Sequence, residues 1–334
     1  MVFVPANGYE VLKVAPAPVV VLAPYEALAS HLRQLVLDAG HGLLGVSFFT
    51  WSTFARDIAE WSFLQDGWQP LPLFAARRIL RQLLAEERSS NYFTPLVRQP
   101  GFARGLLATL TELKHAEVRP QDLCRFLEQA HLTGVYRQKI DSLHALYDGY
   151  ERFLDEHALY DEEDLLTRTV RFLPTRTEST TFFLYGVTDF TPLQRRVVET
   201  AITERDALIF FPWRAGAAYE YTAPTLGWLT SLGFHQSALS DPVVHKTNLA
   251  YLQRRFFESV SLWPTETPPQ LDHSVHILSV PGENREAREI GRVIFDLVCE
   301  RGWHFPDIAV ALPDPMTYGP LLRETFAEWG IPCA

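Results

Sequence analysis

Cysteine is scarce in this chain of 334 residues. Only Cys124, Cys299 and Cys333 are present, and they lie far apart. An odd and scattered set excludes a four-cysteine zinc or iron–sulfur site within the chain, and it is typical of a reducing compartment. We therefore interpret the three thiols as packing residues rather than ligands.

Long apolar runs are also missing. No run approaches the roughly 20 residues that span a bilayer, and residues 1–5 lack the basic-then-apolar layout of a signal peptide. These absences predict a soluble, cytoplasmic protein without a membrane partner. Because 47% of the residues are hydrophobic, the chain is long enough and apolar enough to form two or more domains.

The net charge of -10 argues against a uniformly basic surface for nucleic acid. The charge is unevenly distributed, however: residues 77–139 contain 11 Lys and Arg against 6 Asp and Glu, a local excess of +5. This excess indicates either a basic region within an acidic protein or ordinary solvated helix faces. The sequence leaves both interpretations open.

A glycine-rich phosphate loop is absent as well. Gly8 is the only glycine before Gly40, and Lys13 is followed by Val14, so no Gly-x-x-x-x-Gly-Lys-Ser/Thr sequence exists. Such a loop cradles nucleotide phosphates through its amides, while its lysine and hydroxyl serve charge and Mg²⁺. No Ser-His-Asp or Cys-His pattern stands out either.

Hydrophobic spacing predicts an α/β fold interrupted by helices. We expect strands at residues 19–23, 46–49, 181–185 and 207–211, with a helix at about 26–38 and another that contains Phe54, Ile58 and Trp61. Between about residues 73 and 171 we expect one helix after another and no strand. After a proline-rich linker at 263–269, we expect strands at 274–280 and 307–312, each followed by a helix, at 283–300 and 316–329. Two such units are too few to cover both faces of a sheet, so this last part looks incomplete.

Several segments, in matching order and spacing, resemble the N-terminal part of the AddB-type subunits of the bacterial AddAB helicase–nucleases, which are superfamily 1 relatives. The segments are residues 18–24, 46–55, 101–123, 141–166, 282–290, 307–310 and 329–332. The resemblance implies a RecA-like (P-loop NTPase-like) parallel sheet domain with a large all-helical insertion, followed by the start of a second RecA-like domain. The implied boundaries are 1–72 and 173–270 for the first domain and linker, 73–172 for the insertion, and 271–334 for the incomplete second domain.

Residues 182–194 have the outline of a superfamily 1 ATPase motif without its chemistry. An apolar run predicts a strand, and Pro192 stands where a helix begins. Relatives carry an Asp-Glu pair at this strand end, whereas Gly186 and Val187 stand here, followed by Asp189 and Gln194. Relatives also carry an arginine just after a later strand, where it reaches the γ-phosphate. This chain has no arginine there, because residues 312–315 are Leu-Pro-Asp-Pro. The resemblance therefore implies no ATP hydrolysis, although an ordinary strand, turn and helix explains the segment equally well by itself.

The resemblance implies a non-hydrolysing arm of a DNA-end-processing helicase–nuclease in double-strand-break repair. The implied partners are DNA, as a single strand or duplex end, and an AddA-type subunit. No cofactor is expected in this chain, although a later nuclease domain of the parent would carry an iron–sulfur cluster and Mg²⁺. Two alternatives stay open: an active enzyme with a divergent phosphate site, and a scaffold that binds only protein.

Three groups of acidic residues or histidines are candidates for metal or nuclease chemistry. Glu112 and Lys114 have the Glu-x-Lys form that is found in nuclease active sites. No aspartate lies between Asp66 and Asp122 to supply the upstream metal ligand, so we expect these two residues to lie on a surface turn of a helix. Residues 161–164 are expected to cap a helix rather than bind a metal. His273 and His276 are expected to be structural.

The candidate DNA contacts lie in two places. The first is the loop after the second strand, where Thr50, Trp51 and Ser52 offer hydroxyls for phosphate and an aromatic ring for a base, with Arg56 nearby. A core position for Trp51 is an equal alternative. The second place is the basic helix that carries Arg77, Arg78 and Arg81.

Overall fold

The computed structural model describes residues 18–38, 40, 44–86, 92–99, 101–176, 180–203, 207–213, 216–235, 247–259 and 272–333. The chain divides into two compact units, residues 1–244 with 257–260 and residues 245–256 with 261–334. None of the described helices combines the length and the apolar character that crossing a membrane requires.

The first unit contains a parallel four-stranded sheet, so the predicted α/β class is confirmed. Its strands run β1 (Val19–Leu22), β2 (Val46–Phe49), β5 (Thr181–Tyr185) and β6 (Ala207–Phe210), close to the predicted positions. Their order in the sheet is β2-β1-β5-β6. Val19 pairs with Val46 on one side and with Thr181 on the other, so β1 lies inside the sheet.

Helices cover both faces of this sheet, which explains the nearly continuous apolar strands. Helix α1 (Glu26–Asp38) packs Leu32 on one face, beside Phe183. Helices α2 (Trp51–Gln65), α7 (Glu162–Arg176) and α8 (Pro192–Ile202) pack on the other face, against Phe182. Adjacent residues of β5 therefore enter different cores, as the alternation of side chains along a strand requires.

A helical body follows α2 in the chain. Its helices are α3 (Ala75–Glu86), α4 (Phe102–His115), α5 (Pro120–Gln129) and α6 (Gly134–Glu156). They enclose a separate core that includes Leu80, Leu110 and Leu146. The predicted run of helices is confirmed, with one addition: β3 (Gln69–Pro70) pairs in parallel with β4 (Leu159–Tyr160), although two residues are too few to give a sequence pattern.

Beyond β6, the first unit continues into a short helix. A 3-10 turn (Ala217–Thr222) leads directly into α9 (Ala223–Ser231), which packs Leu229 into the core that also holds Phe182. The indole of Trp228 donates a hydrogen bond to Glu199 of α8 at 2.9 Å, which ties the two helices together.

The second unit is built on helices. α11 (Glu283–Phe295) and α12 (Pro315–Trp329) confirm the two predicted helices and pack together through Ile294, Leu322 and Phe326, and α10 (Asn248–Arg255) precedes them in the chain. A π-helical turn (Asp296–Glu300) continues α11 to the predicted end.

The strands predicted at 274–280 and 307–312 are wrong. Residues 275–280 and 308–312 are irregular, and a 3-10 turn (Phe305–Asp307) begins the second segment. A strand forms only where a neighbour pairs its backbone groups, and residues 272–333 provide no such pairing for either segment. As a result, Ile277 is 92% exposed despite its apolar side chain.

Candidate functional site

The carboxyl edge of the four-stranded sheet contains a topological switch point. The chain leaves β1 toward β2 on one side, and β5 lies on the other side of β1. In open α/β sheets, ligands bind where the strand order reverses in this way, outside the carboxyl ends of the strands. The loops at this point are residues 23–25 after β1 and residues 186–191 after β5.

The turn after β5 is shaped by Gly186. Its φ of +72° lies in the left-handed region, and a Cβ added there would lie 2.8 Å from Cδ2 of Leu28. Both facts favour glycine at this position. The next residue, Val187, is buried in the core. The end of the strand thus presents a glycine turn and an apolar side chain, and neither residue has a side-chain carboxylate for Mg²⁺.

The polar residues that follow are used to begin helix α8. Thr191 is the N-cap: its hydroxyl accepts a hydrogen bond from the Gln194 backbone at 3.3 Å, and the Gln194 side-chain oxygen accepts one from the Thr191 backbone at 3.0 Å. This reciprocal pair is a capping box. The carboxylate of Asp189 is exposed and accepts a hydrogen bond from the Phe190 backbone. The predicted strand, turn and helix, with Pro192 as the first helical residue, are all present.

The loop after β2 places its hydroxyls at the start of α2. Thr50 caps this helix through a hydrogen bond from the Thr53 backbone, and its hydroxyl lies 3.2 Å from that of Ser52. Trp51 is 8% exposed and meets the ring of Phe190 edge-on, with centroids 6.1 Å apart. The structure therefore supports the core alternative for Trp51. Thr50 and Ser52 are half-buried, while Arg56 is exposed and lies 3.8 Å from Glu60.

The arginines of α3 lie on its outer face. Arg78 and Arg81 are exposed and Arg77 is half-exposed, whereas Ile79 and Leu80 are buried in the helical body. Within the described part of the chain, no carboxylate lies within ion-pair distance of these three guanidinium groups. Three other cations of the basic region lie in ion pairs: Arg125 with Asp122, Arg137 with Asp141, and Lys114 with the carboxylates described next.

Lys114 corrects one prediction. The sequence predicts a surface turn for the Glu-x-Lys segment, and Glu112 is indeed exposed, but the Lys114 side chain is only 8% exposed. Its ammonium lies 2.7 Å from Asp161, 2.8 Å from Asp164 and 3.1 Å from Glu151. These four residues, here called the Lys114 cluster, join α4 to α6 and to the start of α7. A sequence signal existed, because 114 continues the four-residue spacing of the buried residues Leu106 and Leu110.

The charges of the Lys114 cluster shift one another's pKa values. Burial alone would lower the pKa of Lys114, but the three carboxylates outweigh it and raise that pKa well above its usual value. Burial raises the pKa of Asp164 to about 7 against the attraction of Lys114. For Asp161, burial is overcome by Lys114 and by hydrogen bonds, so its pKa lies below the usual value. Burial also raises the pKa of Glu151.

The cluster is an ion-pair network rather than a metal site. Among the described residues, no group of three or more His, Cys, Asp or Glu side chains is arranged to hold a metal. Asp161 and Asp164 accept hydrogen bonds from each other's backbone at 3.0 Å, which confirms the predicted helix cap. His273 and His276 stack on each other with centroids 5.9 Å apart. All three cysteines are free and exposed, so their predicted packing role is wrong.

Comparison with known proteins identifies relatives over most of the chain. A family model described as ADDB, N-terminal matches residues 20–208. Among curated proteins, the B-type subunit of the ATP-dependent helicase/deoxyribonuclease of Desulforudis audaxviator is 27% identical, over 95% of this chain and 29% of that protein. The protein of the same name from Bacillus subtilis is 23% identical, over 94% of this chain and 29% of its own length.

A third relative of that name, from Caldanaerobacter subterraneus subsp. tengcongensis, is 22% identical over 76% of this chain and 23% of its own length. The chain thus spans less than a third of the length of these relatives.

Proposed function

The chain belongs to the family of AddB N-terminal regions, and from that premise we propose that it is the helicase-like, non-hydrolysing part of a DNA-end-processing helicase–nuclease. In this role it guides or scans a DNA strand while an AddA-type subunit hydrolyses ATP. The relatives' name, which describes a subunit of a helicase/deoxyribonuclease, supports the assignment to a DNA-processing assembly. We place a nuclease domain, with its Mg²⁺ and iron–sulfur cluster, in a later part of the parent protein.

The observation that carries the proposal is the turn after β5. It lies at the switch point of a parallel sheet, where a nucleotide enzyme of this architecture needs carboxylates for Mg²⁺ and for the attacking water. Gly186 and Val187 supply neither, and Gln194 is engaged in a helix cap. Gly186 also leaves little room for a larger residue, because Leu28 fills the space beside it.

A RecA-like first domain is part of the same proposal. The parallel sheet with helices on both faces supports it, as does the position of the helical body between β2 and β5 in the chain. We assign residues 1–72 and 173–270 to this domain and its linker, 73–172 to the insertion, and 271–334 to the start of a second domain.

The proposed DNA path uses two groups of residues. Thr50 and Ser52 offer hydroxyls at the N-terminus of α2, with Arg56 one turn further along the helix. Arg77, Arg78 and Arg81 offer three charges without a carboxylate in ion-pair distance among the described residues. Positive groups of this kind bind phosphates with little dependence on sequence.

The chain is expected not to bind Mg·ATP tightly. Without a phosphate loop or the two carboxylates, a triphosphate gains neither oriented amides nor a held metal ion. Calorimetric titration with Mg·ATP should show no saturable heat at micromolar concentrations. The same sample should be titrated with single-stranded DNA, which controls for its integrity. A micromolar dissociation constant for ATP contradicts the proposal and favours the divergent phosphate site.

Single-stranded DNA is expected to bind weakly and with strong salt dependence. A local patch neutralises few phosphates, so we expect a dissociation constant of about 10⁻⁶ M or weaker and a negative slope against log salt. Changing Arg77, Arg78 and Arg81 together to Glu should weaken binding at least tenfold and flatten the slope, measured by fluorescence anisotropy.

The matched control changes Arg285, Arg301 and Arg323 to Glu; these residues are exposed in the second unit and, among the described residues, have no carboxylate within ion-pair distance. Both triple variants change the net charge by the same amount. A difference between their affinities for single-stranded DNA therefore reports a local role of the α3 arginines. If the two triple variants lose affinity equally, the patch has no special role. If the unmodified chain binds no single-stranded DNA even at low salt, the protein-only scaffold becomes the better interpretation.

A further inference from the structure

Two large apolar side chains are exposed immediately before α3. Leu73 is 83% exposed and Phe74 is 64% exposed. They lie in the turn between β3 and α3, next to the helix that carries Arg77, Arg78 and Arg81. Packing in the core of the first unit therefore does not explain why an aromatic residue stands at position 74.

The backbone of this turn makes Phe74 an unusual choice. The Ala75 amide donates a hydrogen bond to the Pro72 carbonyl at 2.9 Å, and Phe74 has a φ of +67°. Phe74 thus occupies the third position of a turn in which glycine or asparagine normally supplies the positive φ. A bulky side chain in this region is strained, and such strain is often found at binding sites.

The ring is placed beside cations. The guanidinium of Arg77 lies 4.9 Å from the centroid of the Phe74 ring, a cation–π contact. Arg81 lies four residues after Arg77 and three after Arg78, so its charge neighbours both of the others on the outer side of α3. Phe74, Arg77, Arg78 and Arg81, here called the Phe74 strip, combine an exposed ring with a short row of positive charge.

We infer that the Phe74 strip is a single-strand binding site, in which a base stacks on the Phe74 ring while the adjoining phosphates contact the arginines. This inference rests on the proposed function and names the stacking residue of its basic patch. A base in a single strand offers its flat face to an aromatic ring, whereas a base in a duplex is already stacked on its neighbours. The arginines complement the phosphates, and stacking explains the aromatic ring, which charge alone does not require.

The key variant is Phe74→Gly, because glycine suits the positive φ and removes only the ring. Its thermal stability should equal or exceed that of the parent chain, so a loss of binding is not a loss of fold. We expect its affinity for an oligothymidylate of about 12 nucleotides to fall about 5- to 100-fold in low salt, measured by fluorescence anisotropy. The slope against log salt should not change, because stacking releases no counterions.

Three controls sharpen the experiment. Phe74→Trp should retain or increase affinity, and Tyr136→Ala, which removes another exposed aromatic ring of the same unit, should leave it unchanged. An oligonucleotide of the same length without bases should bind the parent and Phe74→Gly equally, because it has nothing to stack.

The outcomes separate the two proposals. If the parent binds the oligothymidylate and Phe74→Gly binds it equally well, the stacking inference is overturned while the DNA role of the chain stands. Equal loss of affinity for normal and base-free oligonucleotides also overturns stacking. If the parent binds neither oligonucleotide, the proposed function fails as well. Weakened binding of Phe74→Gly to an AddA-type subunit, with unchanged DNA affinity, assigns the strip to a protein interface and overturns the inference.

Discussion

Replacing Lys114 by methionine is expected to lower the free energy of unfolding by about 3–5 kcal/mol. The ammonium is the only cation that lies within 4 Å of Asp161, Asp164 and Glu151 among the described residues. Methionine has a similar length but no charge, so the variant leaves carboxylates that are largely removed from water and repel one another. Removing one partner of a buried network costs far more than removing an exposed ion pair.

The measurement is urea unfolding at pH 7, with the midpoint compared at unchanged slope. Lys139→Met is the matched control: Lys139 is exposed on α6, and we expect a change within about 0.5 kcal/mol. The double change Lys114→Met with Asp164→Asn should recover part of the loss, because it removes one repelling charge and keeps a side chain that can cap α7. A loss below about 1 kcal/mol for Lys114→Met contradicts the stabilising role of the cluster.

The loss of unfolding free energy that Lys114→Met causes should also depend on pH, in a defined direction. In the parent, the pKa of Asp164 is raised to about 7, so its contribution to stability is present in acid and is lost as pH rises through 7. The lowered pKa of Asp161 acts oppositely, because its contribution is lost as pH falls below the usual aspartate range. Without Lys114 both pKa values should be raised. The deficit of the variant is therefore largest above pH 7 and smaller at about pH 5.5.

The helices and strands of the first unit were predicted well because residues within each element, or directly beside it, mark that element in the sequence. The apolar runs at β1 and β5 give buried strands, and Pro192 marks the start of α8 as its first helical residue. The orientation of Lys114 is also a local property, set by the spacing of Leu106 and Leu110 along α4. Its partners were not predictable in this way, because Asp161 lies 47 residues away in the chain.

The wrong strands of the second unit have a different cause. The alternating and apolar residues at 274–280 have side chains that favour a strand. A strand also needs a neighbouring strand that pairs with its backbone groups. The sequence pattern contains no information on whether that neighbour is within the chain. The Phe74 turn shows a similar limit, because neither a positive φ at a phenylalanine nor its exposure follows from composition or spacing.

Trp51→Ala is expected to cost about 3–5 kcal/mol of unfolding free energy, because a large ring is removed from a packed core. Trp51 is 8% exposed and packs on Phe190, which lies in the loop after β5. Stacking on DNA is an equal alternative from the sequence alone, and the two roles predict different results. A core role lowers the urea midpoint strongly, whereas a stacking role lowers only DNA affinity. Trp61→Ala on the same helix, at 36% exposure, should cost distinctly less.

Trp51→Phe separates the roles in a folded protein. Phenylalanine keeps an aromatic ring against Phe190, so most of the stability lost in the alanine variant should be retained. If the ring is only part of the core, single-strand affinity at low salt should equal that of the parent, and binding should depend on the α3 arginines instead. A drop in affinity of Trp51→Phe without a drop in its urea midpoint would return Trp51 to the DNA path, and would require the loop after β2 to open when DNA binds.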